Sequence, residues 1–497
     1  MEDSRPNATR EAVEDVLPKQ RSLYYGGGWH APLDGSSAET FDPGRGVVLG
    51  RVAEAKKADV DRAIAAARAG FLVWRDVVPL ERARILKEVA RLLRANARDL
   101  AMLDAANCGN PVTEMIGDAN VAAAQLDFFA GLVTEMKGAS IPMGPDAVNF
   151  SVRQPLGVVA RIIAFNHPFM FCAGKMAAPL AAGNSVIMKP PAQAPLSSLR
   201  LAELVHGLFP DGVFNILPGG VEAGAALASH EGVAKVTLIG SVAAGRAVMR
   251  AASDTIKPVL LELGGKNALI AFGDSDPAAV ARAIVGGMNF TWCGQSCGST
   301  SRAFLHADIH DEVLEHVRVA VAKFKPGIPT DPATTMGALV SKVHHERVLD
   351  FIRSAEEEGA RLVTGGKVPD EAALAGGYYI EPTIFADVTP SMRIAREEVF
   401  GPVLAVRRWE DESEMIEEVN CLEYGLTCSI WTRDIGKAHR TAMRVEAGFV
   451  WINEVARHFL GAPFGGVKQS GIGREECLDE LLAFTLEKNI HIGLGGQ

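Results

Sequence analysis

The sequence predicts an α/β fold in which helices cover both faces of parallel β-sheets. From residue 156 onward, short β-branched runs alternate with segments of helical length. A strand, a helix and a second strand at this spacing form a βαβ unit, and such units build a parallel sheet that is covered on both faces. Because one group of these units is followed by a second group, we expect two doubly wound parallel-sheet domains.

The individual elements follow from the hydrophobic period of each segment. Two amphipathic helices come first, at 59–71 and 80–95, each with apolar side chains on one face. In the first βαβ region we predict strands at 158–164, 185–189, 213–217, 235–239 and 259–262, and helices at 168–182, 196–207, 221–229 and 242–252. In the second region, about 267–466, we predict strands at 268–272, 301–305, 403–407, 429–431 and 449–452, and helices at 311–323 and 342–358. Ligands of parallel sheets bind outside the carboxyl ends of the strands, so the loops after the strands are the expected place for chemistry.

Two further segments, 148–153 and 485–494, are predicted to form strands that lie apart from both sheets. Strands in such positions often contact another subunit of an oligomer. We therefore expect these two segments to take part in subunit contacts.

The composition restricts the class of partner. The chain has 60 acidic and 50 basic residues and a net charge of −10, which argues against nucleic acid and anionic membranes as partners. Polar residues interrupt every apolar run before it reaches the length of a membrane span. Residues 1–21 mix acidic and basic side chains and fit neither a secretory signal nor a transit peptide. The seven cysteines are scattered and indicate reduced thiols, so we expect a cytoplasmic protein.

Four short motifs stand at or near the ends of predicted strands. They are FNHP at 165–168, LELGGK at 261–266, GQSC at 294–297 and EEVFGP at 397–402. In this order the motifs resemble the aldehyde dehydrogenase superfamily, in its hydrolytic, NAD(P)-dependent and CoA-independent branch. The resemblance begins near residue 25 and ends near residue 475, so it covers nearly the whole chain, and four motifs in the same order are far more specific than any one alone.

The resemblance implies an aldehyde dehydrogenase-like fold in three parts. An NAD(P)-binding domain would occupy 1–135 and 156–265, and a catalytic domain would occupy 266–468. A small β oligomerisation arm would combine 136–155 with 469–497. The resemblance also implies a homodimer or homotetramer in which the tail strand pairs across subunits.

The catalytic residues implied by the resemblance match the chemistry of aldehyde oxidation. Loss of hydride requires a tetrahedral carbon that carries an oxyanion, and a thiolate, here Cys297, can create it. Asn166 and the backbone N–H of Cys297 match the donors that stabilise the oxyanion. Glu262 matches the base that activates water for hydrolysis of the thioester, and Lys175 matches a position that helps to relay its proton.

Several alternatives remain open. Cys293, four residues before Cys297, is either a filler thiol or a reversible oxidation partner. A second possible activity is that of an acylating semialdehyde dehydrogenase that needs coenzyme A, against which Glu262 argues. A third is a catalytically silent NAD(P)-binding family member, against which the intact set of Cys297, Glu262 and Asn166 argues.

The cofactor is expected to be NAD or NADP. No GxGxxG fingerprint follows a strand, but GSVAAG at 240–245 joins a strand to a helix whose free N–H groups can hold a pyrophosphate. Lys189 resembles the lysine that binds the adenine ribose, and Glu398 resembles the carboxylate that binds the nicotinamide ribose. The other cofactor-binding residues that we predict are Ala164, Phe165, Ala192, Gly240, Ser241, Gly264 and Phe400.

Ala192 departs from the pattern of the family members that prefer NAD. Those members usually place a glutamate three residues after the ribose lysine, where it accepts hydrogen bonds from the ribose hydroxyls. Without a carboxylate, Ala192 neither binds the 2′-hydroxyl nor repels a 2′-phosphate. The hypothesis is that NADP is tolerated or even preferred.

The substrate end of the sequence is less informative. By the resemblance, residues 454–461 form the mouth of the aldehyde channel, and the pocket residues that we predict are His167, Met170, Trp292, Arg457 and Phe459. The aromatic side chains favour a bulky or aromatic aldehyde, and Arg457 facing the channel would favour a carboxylated one. The alternative, at least as favoured by the sequence, is that Arg457 is solvated. No metal site is expected, because no histidine cluster has closed four-ligand spacing.

Overall fold

The computed structural model describes residues 13–495. The strands are β1 Leu23–Tyr25, β2 Gly28–His30, β3 Ser37–Asp42, β4 Val47–Ala53, β5 Ser140–Ile141, β6 Ala147–Pro155, β7 Val158–Ile162, β8 Ser185–Lys189, β9 Phe214–Ile216, β10 Lys235–Gly240, β11 Val259–Leu263, β12 Ala268–Ala271, β13 Arg302–His306, β14 Arg361–Thr364, β15 Thr383–Ala386, β16 Val403–Trp409, β17 Thr427–Trp431, β18 Phe449–Ile452, β19 Gly471–Ile472 and β20 Thr485–Gly493. The helices are α1 Lys57–Trp74, α2 Pro79–Ala95, α3 Ala97–Cys108, α4 Val112–Gly131, α5 Pro168–Lys175, α6 Ala177–Ala181, α7 Leu196–Val205, α8 Val221–Ser229, α9 Val242–Ser253, α10 Pro277–Gly287, α11 His310–Val321, α12 Lys342–Glu357, α13 Arg393–Arg396, α14 Glu412–Asn420, α15 Ile435–Arg444 and α16 Leu478–Leu482.

The first sheet has the strand order β19-β11-β10-β7-β8-β9-β1-β2. Its five central strands pair in parallel, and β1, β2 and β19 add to its edges in antiparallel pairing. Successive side chains of β7 point to opposite faces: Val159 packs with helices α2 to α7, whereas Val158 and Ala160 pack with α1, α8 and α9. Both faces are therefore covered, and the prediction of a doubly wound parallel sheet is confirmed.

The second sheet has the order β14-β15-β16-β13-β12-β17-β18. All its pairs are parallel except β14 with β15. The α/β prediction with two such sheets is therefore confirmed here as well.

The two strands predicted to lie apart from the sheets pair with each other. β6 and β20 form a nine-residue antiparallel ladder, and β5 adds to β6. The C-terminal segment does not belong to this arm as a whole, because β19 pairs with β11 and the side chains of Leu481 and Phe484 lie in the core of the first sheet. The structure thus differs from the predicted boundary at 469, and the predicted domain ends at residues 1 and 497 lie outside the described residues.

Several predicted elements are longer than the observed ones. The strand predicted at 158–164 ends at Ile162, and the helix predicted at 168–182 is divided into α5 and α6 at Met176. The residues after Ile162 form the loop that leads into α5, and Pro168 occupies the first turn of that helix. Within residues 13–495 no helix is long and apolar enough to cross a membrane.

Candidate active site

One cavity of about 530 Å³ lies outside the carboxyl ends of β7, β8, β10 and β11. The second sheet contributes residues from the loops before β13 and β16. The cavity brings together most of the residues that the sequence predicted for the site: Ala164, Phe165, Asn166, Lys189, Ala192, Gly240, Ser241, Glu262, Gly264, Cys297, Glu398 and Phe400. These residues come from distant parts of the chain, and parallel pairing places the ends of their strands at one edge of the sheet.

The loop that carries Cys297 is held by an asparagine that the sequence analysis missed. Asn267 Nδ2 donates to the carbonyl oxygens of Cys297, at 2.6 Å, and of Ser299, at 3.0 Å. The side-chain oxygen of Asn267 accepts from the backbone N–H of Thr427 at 3.1 Å. Asn267 follows the LELGGK motif directly, so that position was the available sequence signal.

Cys293 does not lie one helical turn before Cys297. A short 3₁₀ turn, Phe290–Trp292, ends at Cys293, which has a left-handed backbone with φ of 55°. The side chain of Cys293 is buried in the core of the second sheet beside Val348 and Phe351. This packing supports the interpretation of Cys293 as a filler thiol.

Burial and nearby carboxylates dominate the electrostatics around Cys297. Burial, together with the charges of Glu262 and Glu398, raises the pKa of the Cys297 thiol to about 12. Burial raises the pKa of Glu262 well above its ordinary value, and the charge of Glu475 adds to this effect. Neither carboxylate oxygen of Glu262 has a hydrogen-bond partner among the described residues. A carboxylate with a raised pKa and free oxygens is suited to accept a proton from water.

Lys175 belongs to a buried ionic cluster whose charges act on Glu262. Lys175 Nζ lies 2.8 Å from Glu475 Oε2, and Arg161 Nη2 lies 2.5 Å from Glu475 Oε1. Arg161 Nη1 also lies 3.3 Å from Glu480 Oε1. Burial alone would lower the pKa of Lys175, but Glu475 and the neighbouring carboxylates raise it. Lys175 is therefore charged, and its charge lowers the pKa of Glu262. Glu475 was not among the predicted site residues, although the resemblance to the family ends at this position.

The loop that carries Asn166 is held by a second asparagine. Asn110 Nδ2 donates to the backbone oxygen of Asn166 at 2.6 Å. His167, not Asn166, occupies the N-cap position of α5. The Asn166 side chain is therefore not used as a helix cap, and it lines the cavity together with Cys297.

The far end of the cavity has the features of a phosphate and ribose site. Helix α9 begins after Ser241, whose Oγ accepts from the N–H of Ala244 at 3.2 Å. Lys189 Nζ donates to the backbone oxygen of Pro190 at 3.2 Å, and burial lowers the pKa of Lys189 to about 8. The Ala192 side chain is exposed at the rim. A helix N-terminus and a buried amine together favour an anionic ligand.

Gly264 leaves room for the Glu398 carboxylate. A Cβ at residue 264 would lie 2.0 Å from Glu398 Oε2, and Glu398 Oε1 accepts from the N–H of Gly265 at 3.0 Å. Burial raises the pKa of Glu398 to about 7. The Phe400 ring stands edge-on to Phe165 with ring centroids 5.7 Å apart. The carboxylate and the two rings thus form one wall of the cavity beside Cys297.

His344 and Arg347 of α12 also line the cavity, and the sequence analysis missed both as site residues. His344 Nε2 lies 2.7 Å from the backbone oxygen of Phe400, and burial lowers the pKa of His344 to about 4. Arg347 Nη2 donates to the backbone oxygen of Glu398 at 2.9 Å. Both residues lie in a polar helix with a surface-like pattern, so the sequence carried no signal for this role.

The predicted substrate residues are only partly brought together. His167 and Trp292 contact each other edge-to-face at 4.6 Å, and Met170 packs against the core of the first sheet. The Arg457 guanidinium lies 3.6 Å from Glu454 Oε2 with most of the side chain exposed, and Phe459 is 49% exposed. The structure therefore does not place Arg457 in a closed channel, and it agrees with the solvated alternative. No group of three or more histidine, cysteine or acidic side chains with a metal-binding arrangement occurs within residues 13–495.

Comparison with known proteins gives matches over nearly the whole chain. The model of the aldehyde dehydrogenase family matches residues 29–490. Aldehyde dehydrogenase tropH of Talaromyces stipitatus is 54% identical over 492 residues, which cover 97% of this chain and 95% of that protein. PnpE of Pseudomonas sp. WBC-3, in a structure with nicotinamide adenine dinucleotide, has a TM-score of 0.94 at 38% identity over 96% of this chain and 98% of the other. The indole-3-acetaldehyde dehydrogenase AldA of P. syringae, in a structure with NAD+ and IAA, has a TM-score of 0.94 at 36% identity over 98% and 99% of the two chains.

Proposed function

This chain belongs to the aldehyde dehydrogenase family, and we propose that it converts an aldehyde, NAD(P)⁺ and water to a carboxylate and NAD(P)H through a cysteine-bound thioester. One observation carries the proposal. A single cavity is lined at one end by Cys297, Glu262 and Asn166 and extends to Lys189 and the start of α9. The same cavity thus holds a nucleophile, a base and a hydrogen-bond donor at one end and a site for an anionic cofactor at the other.

The residues at the far end of the cavity fit a dinucleotide. The N-terminus of α9 offers backbone N–H groups for a pyrophosphate, and Lys189 offers an amine for a ribose hydroxyl. Glu398, whose carboxylate packs against Gly264 and lines the cavity, suits the second ribose. Relatives of this chain have been solved with NAD⁺, which supports the same class of cofactor here. When bound, the nicotinamide supplies the acceptor for a hydride.

Cys297 performs the first covalent step. Its thiolate attacks the aldehyde carbon, a C–S bond forms, and the carbonyl oxygen becomes an oxyanion. The side-chain amide of Asn166 donates to this oxyanion, and the contact from Asn110 keeps the Asn166 backbone in place. Collapse of the oxyanion expels a hydride and leaves a thioester on Cys297.

Glu262 performs the second step as general base. It takes a proton from water, the resulting hydroxide attacks the thioester carbon, and the C–S bond breaks to release the acid and the Cys297 thiolate. The positive charge of Lys175 lowers the pKa of Glu262 and so favours its ionised form inside a buried site. The proton then leaves toward solvent from Glu262.

Ala192 supports use of NADP as well as NAD. Its methyl group brings no carboxylate to the rim beside Lys189, so a 2′-phosphate meets no repulsion from this position. Glu54 is the carboxylate whose charge acts on Lys189, and it is paired with Lys56 at 3.3 Å. We therefore expect measurable turnover with both cofactors.

The substrate that fits best is a bulky, aromatic aldehyde. His167 follows Asn166 in the chain and makes edge-to-face contacts with the rings of Phe171 and Trp292, and this aromatic cluster supports the choice. A carboxylated aldehyde has weaker support, because Arg457 is engaged with Glu454 at the surface.

The test follows the absorbance of the reduced nicotinamide with aliphatic, aromatic and carboxylated aldehydes, each with NAD⁺ and with NADP⁺. A Cys297→Ala variant is the control, and it should bind the cofactor but form no reduced nicotinamide. Formation of acyl-CoA in the presence of coenzyme A would instead indicate an acylating enzyme. Cofactor binding by the wild type with no turnover of any aldehyde would contradict the proposal and favour a silent family member.

A further inference from the structure

Three successive carbonyl groups of the loop that carries Cys297 bind side chains at one edge of the second sheet. Asn267 Nδ2 donates to the carbonyl oxygens of Cys297, at 2.6 Å, and of Ser299, at 3.0 Å. Thr427 Oγ1 donates to the carbonyl oxygen between them, that of Gly298, at 3.3 Å. The loop is therefore held at three consecutive peptide groups.

The Asn267 side chain is itself fixed by the second sheet. Asn267 lies immediately before β12 and Thr427 begins β17, and these two strands pair in parallel. Asn267 Oδ1 accepts from the backbone N–H of Thr427 at 3.1 Å, and the residue is only 4% exposed. Gly265 leaves room for the amide, since a Cβ at residue 265 would lie 2.4 Å from Asn267 Oδ1. Three hydrogen bonds thus fix the orientation of this amide.

The grip of Asn267 on the Cys297 carbonyl also determines where the next N–H points. The peptide bond between Cys297 and Gly298 is trans and planar, so the N–H of Gly298 points away from the carbonyl oxygen of Cys297. An amide that fixes the carbonyl of this peptide group therefore fixes the direction of its N–H as well.

This N–H acts on the cysteine sulfur. Burial and the charges of Glu262 and Glu398 raise the pKa of the Cys297 thiol, whereas the N–H groups of Gly298 and of Cys297 itself lower it. A hydrogen bond to the charged form of a group favours that form. In a buried site that faces two carboxylates, the backbone N–H groups are thus the contacts that favour the thiolate.

We propose that Asn267 is a positioning residue for the nucleophile: by holding the carbonyl oxygen of Cys297, it keeps the N–H of Gly298 directed at the cysteine sulfur and stabilises the thiolate. This inference rests on the proposed function, in which Cys297 attacks the aldehyde.

Thr427 supports the same loop without this effect. The peptide group whose carbonyl it holds carries the N–H of Ser299, and that N–H donates to the carbonyl oxygen of Ser296 at 3.1 Å. Loss of the Thr427 hydroxyl therefore weakens a loop contact but redirects no N–H that acts on the sulfur. The chain thus offers a matched control for the role of Asn267.

The test measures how fast iodoacetamide alkylates Cys297 in the cofactor-free full chain, at one fixed pH near neutrality, with the adduct quantified by mass spectrometry. Below the pKa of a thiol, this rate is proportional to the fraction of thiolate. In Asn267→Ala we expect alkylation to be about tenfold slower, which corresponds to the loss of one hydrogen bond to a charged group.

A merely structural role predicts the opposite sign, because a loosened loop would expose the buried thiol and accelerate alkylation. Thr427→Val removes the hydroxyl but keeps a β-branched side chain in β17, and its alkylation rate should stay within about twofold of the wild type. An unchanged or faster rate in Asn267→Ala, or an equal slowing in Thr427→Val, would overturn the inference.

Asn267→Ser decides the question if Asn267→Ala does not fold. Serine keeps a polar group but has a single donor, which ends one bond short of the position of Asn267 Nδ2. Alkylation of Cys297 in this variant should be slower than in the wild type by about threefold or more. A rate equal to or above that of the wild type would contradict the positioning role.

Turnover by the wild type separates this inference from the proposed function. Aldehyde oxidation by the wild type, together with an unchanged alkylation rate in Asn267→Ala, rejects the positioning role alone. No turnover of any aldehyde by the wild type rejects the proposed function, whatever the alkylation rates.

Discussion

Lys175 Nζ lies 2.8 Å from Glu475 Oε2, although 300 residues separate the two in the sequence. Arg161 binds the other oxygen of the same carboxylate, so Glu475 accepts from two cations. This buried pair adjoins Glu262, whose pKa is raised first by burial and then by Glu475, and is lowered by Lys175. The ionisation of the proposed base is therefore controlled by a cluster that spans the first sheet and the C-terminal segment.

Lys175→Met should shift the pH dependence of turnover. Without Lys175 the pKa of Glu262 rises, and because only ionised Glu262 acts as base, the acidic limb of the kcat profile should move to higher pH. At neutral pH kcat should fall about tenfold or more, with a burst of reduced cofactor that persists because thioester hydrolysis is slowed. Lys175→Arg retains the charge and is the matched control. An unchanged pH profile in Lys175→Met would contradict this role.

Alkylation by iodoacetamide should report the state of Cys297. Burial, Glu262 and Glu398 raise the pKa of its thiol to about 12, so the cofactor-free enzyme should react slowly near neutral pH and faster with each unit of added pH. Glu262→Gln removes one of the charges that raise this pKa. At pH values above the pKa of Glu262, the variant should therefore be alkylated severalfold faster than the wild type. The rate is measured by loss of activity in the wild type and by mass spectrometry in both. A slower reaction in Glu262→Gln would show instead that Glu262 deprotonates the thiol.

Gly264→Ala should weaken cofactor binding. The added Cβ would lie 2.0 Å from Glu398 Oε2, so the carboxylate that faces the proposed nicotinamide ribose must move. We expect the Kd of the cofactor, measured by calorimetry, to rise about tenfold, which corresponds to the loss of one charge-assisted hydrogen bond. Gly286→Ala in α10 is the control, because its Cβ would meet no atom within 4 Å. Equal cofactor affinity in the two variants would reject the assignment of Glu398.

Ala192→Glu should change the choice between the two cofactors. A carboxylate at the rim beside Lys189 would accept hydrogen bonds from a ribose 2′-hydroxyl and repel a 2′-phosphate. The ratio of kcat/KM for NADP⁺ to that for NAD⁺ should fall about tenfold or more. Ala192→Gln, which has the same shape without the charge, should have a smaller effect. A wild type that favours NAD⁺ by more than about tenfold would refute the hypothesis that Ala192 permits NADP⁺.

Much of the architecture could be predicted from local sequence. The alternation of β-branched and helical segments predicted both parallel sheets, because the periods of two and 3.6 residues are properties of the elements themselves. Parallel topology then places the ends of strands at one edge, which is why Lys189, Gly240 and Glu262 could be predicted to meet. The boundary at 469 could not be predicted, because the pairing of β19 with β11 depends on a register between distant segments.

The sequence by itself determined the order of the motifs, the identity of the nucleophile candidate and the absence of a carboxylate at Ala192. Only the tertiary structure decided which side chains share a charge or a hydrogen bond: Glu475 with Lys175, Asn267 with Cys297, Asp118 with His167, and Arg457 with Glu454 rather than with a channel. The physical reason is that strand and helix formation depend on neighbouring residues, whereas an ion pair forms wherever packing brings two groups within a few ångströms. Charge and proton affinity at this site are thus properties of the fold, and the sequence contains them only through the fold.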